Sequence, residues 1–241
     1  MASKEKRNTY RKSAIIVGLL YILGTVAGVA GGVISEPILG DADYLALVAV
    51  NESKIVTGAL LVLVMGFALV MVPVVMFPIF RRVNEVLALA AVVFRGVLEA
   101  FCYMALAISM LLLISLSLEY VDAGAPNDAY FQSASALLVE LGDWIELVLA
   151  IVFSLGALIL YYLFYRSKLV PRWLSGWGFV GAILYFAAAI LVIYNAQDLV
   201  LSLTTGVGIL LAPLAIQEMV FGLWLIVKGF NPSAIDALFA E

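Results

Sequence analysis

Three charged residues lie deep inside long apolar runs of this sequence, and they are its first candidates for chemistry. Arg95 and Glu99 are four residues apart, so a helix places both on one face. Counted from Glu85 at the edge of the run, a rise of about 1.5 Å per residue puts Arg95 ~15 Å deep. Glu218 precedes Lys228 by ten residues in another run, which gives it a matching depth. We therefore expect Arg95, Glu99 and Glu218 to meet inside a helical bundle.

The charge balance of this expected cluster determines what it could bind. A lone charge near the bilayer centre costs at least about 2.5–3.5 kcal/mol, so the arginine should pair with the carboxylates. One guanidinium cannot neutralise two carboxylates, so either one carboxylate holds a proton or a cation joins them. Gln217 could add a polar contact beside Glu218. The competing interpretation is a buried ion cluster that only fixes how two helices pack.

A second acidic group lies in a different run. Glu140, Asp143 and Glu146 follow one another at i, i+3 and i+6, roughly along one helix face. The run begins near Val139, so Glu146 lies only about 10 Å inside it. One interpretation is an acidic vestibule that leads a cation past Asp143 and Glu146 toward the cluster, with Lys54 as a candidate partner. The other is a solvated helix end.

Three glycines recur at every fourth position of the first run: Gly24, Gly28 and Gly32. Such spacing forms a groove along one helix face, where another backbone can approach closely. This face predicts helix packing, either within the bundle or in a homo-oligomer. The second alternative supports a different function, that of a non-catalytic membrane regulator or assembly partner.

The composition excludes several classes of protein. Hydrophobic residues make up 65% of the 241 residues and charged residues only 12%, against about 25% charged in soluble domains. The net charge of −4 gives no basic patch for nucleic acid. The chain has no histidine, and its one cysteine, Cys102, lies in an apolar run. Without histidine, a metal motif or an evident nucleophile, we expect no cofactor and do not favour an enzyme.

The apolar runs that must position these residues predict an all-α integral membrane bundle. About 20 apolar residues span a bilayer core as a helix, and continuous apolar runs argue against a barrel. Six spans are expected, at residues 13–34, 54–80, 85–118, 139–165, 173–194 and 203–227. Prolines are expected to kink the second span, at Pro73 and Pro78, and the sixth, at Pro213.

The basic residues predict the orientation of the bundle. Eleven of the 13 Lys and Arg residues lie in the tail 1–12, in the links after the second and fourth spans, or after the sixth. The opposite loops are acidic. The positive-inside rule then places both termini in the cytoplasm. We expect one transmembrane domain over residues 1–241, with residues 120–135 as an outer loop because they contain Gly124, Pro126, Asn127 and Ser133.

Four segments resemble a known family. They are residues 18–23 (GLLYIL), 83–95 (VNEVLALAAVVFR), 165–173 (YRSKLVPRW) and 223–229 (LWLIVKG). Together they resemble the family known as domain of unknown function 4386, small prokaryotic multi-pass membrane proteins. The resemblance implies six helices in a bacterial or archaeal cell membrane and no stated activity.

Two functions follow as hypotheses. The first is the binding or transport of a small molecule, a cation or a proton-linked substrate at Arg95, Glu99 and Glu218. The second is regulation or assembly through the face of Gly24, Gly28 and Gly32. The lipid bilayer is the expected partner in both.

Overall fold

The described part of the chain, residues 2–123, 128–194 and 209–240 of a computed structural model, is helical. It forms nine α-helices and one π-helical segment. These are α1 (Ala2–Leu39), α2 (Tyr44–Val50), α3 (Glu52–Phe80), α4 (Glu85–Ala91), the π-helical segment (Val92–Leu98), α5 (Glu99–Ala123), α6 (Asp128–Ser167), α7 (Arg172–Tyr194), α8 (Ala212–Val227) and α9 (Pro232–Leu238).

Five stretches are long and apolar enough to cross a bilayer, which confirms the all-α class and the first five predicted spans. They are Thr9–Leu39, Glu52–Phe80, Glu85–Ala123, Ala129–Ser167 and Arg172–Tyr194. α8 has 16 residues and is about 24 Å long, shorter than a bilayer core of ~30 Å. It passes the same test only together with α9, across a bend of 84°. The predicted sixth span also included residues 203–208, which lie outside the described residues.

The outer faces of these helices are apolar, as lipid contact requires. Large side chains such as Leu23, Val26, Phe67, Phe101 and Ile108 are exposed on three different spans. Soluble monomers rarely expose continuous apolar patches of this extent. The exposed apolar faces therefore agree with a multi-pass membrane protein.

The long helices form a closed ring in chain order. α1 packs against α3, α3 against α5, α5 against α6, α6 against α7, α7 against α8, and α8 returns to α1. The links are short where the chain turns at the basic end. Asn84 caps α4 by accepting a hydrogen bond from the Leu87 N–H at 2.9 Å, and α7 begins directly after Pro171.

Two predicted details are wrong. Most of the expected loop 120–135 is helix, since α5 continues to Ala123 and α6 begins at Asp128. Residues 124–127, which contain the turn-forming residues, lie outside the described residues. Pro213 does not kink a helix but lies in the first turn of α8, where its missing N–H would have had no helical partner. Pro73 and Pro78 lie inside α3, and the kinks expected there stay a prediction.

A side chain of α1 caps the last turn of α8. Arg11 donates hydrogen bonds to the carbonyls of Leu225 at 3.1 Å and Ile226 at 2.6 Å. These carbonyls have no helical partner, and a cation there also complements the helix dipole. Gly229 follows with φ 75°, and a Cβ on it would lie 2.6 Å from Nη1 of Arg11. Glycine is therefore required at this helix end for both its backbone conformation and its lack of a side chain.

Candidate intramembrane charge cluster

Arg95 lies in the middle of the π-helical segment, between α4 and α5. A π-helix adds a residue to the turn and opens the backbone locally, and such segments often occur at functional sites. The segment contacts α3, α5 and α6, so its side chains can enter the centre of the ring. Arg95 is fully buried there, with 0% of its surface exposed.

The structure brings the three predicted charges together. Arg95 Nη2 lies 2.8 Å from Glu218 Oε1, and Nη1 lies 3.3 Å from Glu99 Oε2. The exposed fraction is 0% for Glu99 and 7% for Glu218. A charge buried to this degree is stable only when it is paired and hydrogen-bonded. The guanidinium thus holds α8 against the helix that carries Glu99.

An aromatic face completes the surroundings of the guanidinium. Its Cζ lies 4.1 Å from the ring centroid of Phe153 on α6. A desolvated cation over an aromatic ring gains about 2 kcal/mol or more. The Phe153 ring in turn packs against Tyr185 of α7, with centroids 5.1 Å apart. These contacts orient Arg95 without neutralising its charge.

Two polar atoms in the cluster have no hydrogen-bond partner among the described residues. They are Nε of Arg95 and the hydroxyl of Tyr21. Tyr21 is fully buried, and its hydroxyl lies close to Arg95 and Tyr161. A buried polar atom without a partner costs about 1–3 kcal/mol. The cluster therefore has hydrogen-bonding capacity beyond the pairs that its own side chains make.

Gln217 does not join Arg95 as expected but holds the helices around it. Its Oε1 accepts a hydrogen bond from the Tyr161 hydroxyl at 2.7 Å, and its Nε2 donates to the Leu174 carbonyl at 3.0 Å. Gln217 is fully buried. It links α8 to α6 and α7, and so positions the neighbouring Glu218.

Glycines allow the close approach that the cluster needs. A Cβ on Gly156 of α6 would lie 2.9 Å from the backbone N of Arg95, and one on Gly178 of α7 would lie 2.6 Å from the Tyr161 ring. A Cβ on Gly18 of α1 would lie 2.6 Å from the carbonyl oxygen of Gly222 on α8. Real side chains essentially never come so close, so a larger residue at any of these positions would force the neighbouring atoms to shift.

The comparison with known families covers nearly all of this arrangement. Residues 16–229 match the family described as a domain of unknown function, DUF4386. The chain belongs to this family. The DUF4386 match includes the cluster from Tyr21 to Glu218 and confirms the resemblance seen in the four segments. No curated protein and no solved structure matches the chain.

In this DUF4386 protein the outer acidic group does not reach the cluster directly. Asp143 is exposed and faces Glu140, whereas Glu146 is partly buried and faces Asp143 and Glu36 of α1. Tyr185 of α7 interacts electrostatically with Glu146 and also with Glu218 and Glu99. It is therefore near both acidic groups.

Lys54 makes no ion pair with this acidic group among the described residues. It lines a separate surface cavity of about 440 Å³, together with Val33, Ile34, Pro37 and Ile38 of α1. The described residues also hold no group of three or more Cys, Asp or Glu side chains arranged to bind a metal ion. Any cation at the charge cluster would thus meet two carboxylates and not a closed metal cage.

The glycine face of α1 is largely used inside the DUF4386 bundle. A Cβ on Gly24 would lie 2.8 Å from Leu69, and one on Gly28 would meet Met65; both partners belong to α3. Gly32 differs, because among the described residues only Glu36 of its own helix lies within 4 Å of such a Cβ. Gly24 and Gly28 therefore serve the contact between α1 and α3.

Proposed function

We propose that the intramembrane cluster of this protein binds a proton or a small cation. The observation that carries the proposal is one buried guanidinium facing two buried carboxylates, Glu99 and Glu218. One carboxylate stays without a neutralising charge of its own, and at this depth an uncompensated charge is costly. A bound proton or cation removes that cost.

The unpartnered atoms support the same site. The Tyr21 hydroxyl can accept or donate one hydrogen bond, and Arg95 Nε can donate one. Carbonyl, hydroxyl and carboxylate oxygens are the ligands that hard cations prefer. A cation beside Glu218 and Tyr21 would have a carboxylate oxygen and a hydroxyl oxygen within the cluster.

The route to the site is proposed to start at the outer acidic group. Asp143 is exposed, Glu146 is partly buried, and Tyr185 interacts electrostatically with both Glu146 and the carboxylates of the cluster. Negative charge at the mouth of such a route raises the local concentration of cations. The transport hypothesis adds that the bound proton or cation crosses the membrane. A flux measurement in vesicles would test it.

Binding is expected to stabilise the fold. Purified protein in neutral detergent would be unfolded by heat in sodium, potassium, lithium or choline chloride at matched ionic strength, and at several pH values. A ligand at 100 times its Kd adds about 2.7 kcal/mol of stability. We expect one of the cations, or a lower pH, to raise the unfolding midpoint of the native chain. We expect Glu218→Gln and Glu99→Gln to lose this rise.

Glu119→Gln is the matched control, because Glu119 is an exposed carboxylate at the outer end of α5 and does not belong to the outer acidic group. It should keep the full response. The proposal fails if the Glu218→Gln and Glu99→Gln proteins fold and respond to every salt and pH as the native chain does. The cluster would then serve helix packing alone.

We also propose that the protein lies in a prokaryotic cell membrane with both termini in the cytoplasm. The basic residues at one end of the bundle support this orientation. With Cys102→Ala as background, Asp41→Cys should react with a membrane-impermeant maleimide in intact cells. Arg81→Cys, at the opposite end, should react only after permeabilisation. Both positions are exposed, and the reverse labelling pattern would contradict the orientation.

A further inference from the structure

A cationic groove lies at the basic end of the bundle. The outer acidic group lies toward the other end of α6. The groove is an open cavity of about 540 Å³ between the α6–α7 link and the α8–α9 link. Lys168, Arg172 and Lys228 line it, and no acidic side chain does so among the described residues. All three are exposed, and none forms an ion pair within the described chain.

The walls of the groove are fixed by the backbone. Lys168 ends α6 with φ 56° and Gly229 ends α8 with φ 75°. The Asn231 N–H donates to the Leu169 carbonyl at 2.8 Å and joins the two links directly. Leu169 and Phe230 are buried beneath them. The groove is therefore a preformed feature and not a chance gap between loose loops.

The local field at the groove is positive. The C-terminal ends of α6 and α8 point toward it and each contributes partial negative charge. Arg11 offsets the end of α8 by hydrogen-bonding its last carbonyls, and it lies against Gly229. Lys168, Arg172 and Lys228 outweigh the remaining negative partial charge, and this leaves the groove with a net positive charge. Oxyanions are the complementary ligands for such a set.

An apolar surface adjoins the cationic groove. Trp224 lines the groove and meets Trp173 edge-to-face, with ring centroids 6.1 Å apart. Trp173, Leu223 and Val227 are exposed on the outer face of α7 and α8. Tryptophan marks the level at which a helix leaves the hydrocarbon. A ligand held here would have its charged part in the groove and its apolar part beside these side chains.

We propose that this groove binds the phosphate headgroup of an anionic phospholipid. Basic pockets between transmembrane helices at the cytoplasmic face have the chemistry for such headgroups. The proposal rests on different residues from the proposed cation site, so either can fail without the other.

The test uses full-length, delipidated protein in neutral detergent at 0.15 M salt, where charges more than about 8 Å apart are screened. Thermal unfolding would be followed against phosphatidylglycerol, and against phosphatidylcholine with the same acyl chains. Phosphatidylglycerol should raise the unfolding midpoint and phosphatidylcholine should not. In Arg172→Gln/Lys228→Gln the apparent affinity for phosphatidylglycerol should fall about 30-fold. If that double variant does not fold, Lys228→Gln alone should show a loss of about fivefold.

The matched control is Arg81→Gln/Arg166→Gln, which removes the same charge from exposed arginines that do not line the groove. It should bind phosphatidylglycerol within about threefold of the native chain. An equal loss in the control would mean that diffuse surface charge, and not the groove, binds the lipid. Full stabilisation by inorganic phosphate or glycerol phosphate alone would identify a soluble anion as the ligand. Equal stabilisation by phosphatidylcholine would show that charge is irrelevant, and each of these three results overturns the proposal.

Discussion

Arg95→Met is expected to lower the free energy of unfolding by about 3–5 kcal/mol, because it leaves Glu99 and Glu218 buried without their cation. Removing one member of a buried ion cluster is worse than removing all of it. The triple variant Arg95→Met/Glu99→Gln/Glu218→Gln should therefore recover most of the loss. Denaturant titration of the purified protein in mild detergent measures both values.

Arg81→Met provides the control for this comparison. Arg81 is exposed at the end of α3, and surface substitutions usually change stability by no more than about 0.5 kcal/mol. Equal stability of Arg95→Met and Arg81→Met would mean that the cluster does not hold the helices together. A triple variant as unstable as Arg95→Met would show that shape, and not charge, dominates at this site.

Gly156→Ala is the second substitution expected to have a large effect. Its Cβ would lie 2.9 Å from the backbone N and 3.2 Å from the Cα of Arg95. Backbone atoms cannot turn aside as a side chain can, so α6 and the π-helical segment must separate. Overpacking of this kind costs about 1–3 kcal/mol. The same separation should move Arg95 off the Phe153 ring and weaken any cation-dependent stabilisation.

Gly176→Ala is matched to this change in residue type and lies in α7. No atom lies within 4 Å of a Cβ at Gly176. Alanine is favoured over glycine in a helix by about 0.8–1.0 kcal/mol, so this variant should be as stable as the native chain or more so. If both alanines had the same effect, the close approach at Gly156 would be energetically unimportant.

The meeting of Arg95 and Glu218 could be predicted because depth in a membrane is set by helix rise. Two charges at the same distance from one edge must lie at the same level, and lipid gives them no other partner. The surrounding residues could not be predicted in this way. Tyr21, Phe153 and Tyr161 lie within apolar runs, where aromatic side chains more often face lipid or fill the core.

Other features depended on tertiary contacts that leave little trace in the sequence. The π-helical segment contains three valines and Gly96, but such residues are common in transmembrane helices, so they do not mark it in the sequence. Gly156 looks like an isolated glycine, and its role becomes clear only when Arg95 is seen beside it. In the sequence Lys168, Arg172 and Lys228 indicate only orientation. Lys168 and Arg172 flank the link between α6 and α7, whereas Lys228 follows α8, so that only the folded chain brings them together.

The hydrogen bonds between Arg11 and the end of α8 can form only after almost the whole chain has been synthesised. The first of them joins residues 214 positions apart in the chain. At a synthesis rate of about 5–20 residues per second, α1 waits roughly 10–40 s before its partner helix is made. From the synthesis of Arg95 until that of Glu218, Arg95 has only one partner carboxylate, Glu99, four residues further along the chain. The local pair lets their helix enter the bilayer early, and closure of the ring is deferred until the last helix arrives.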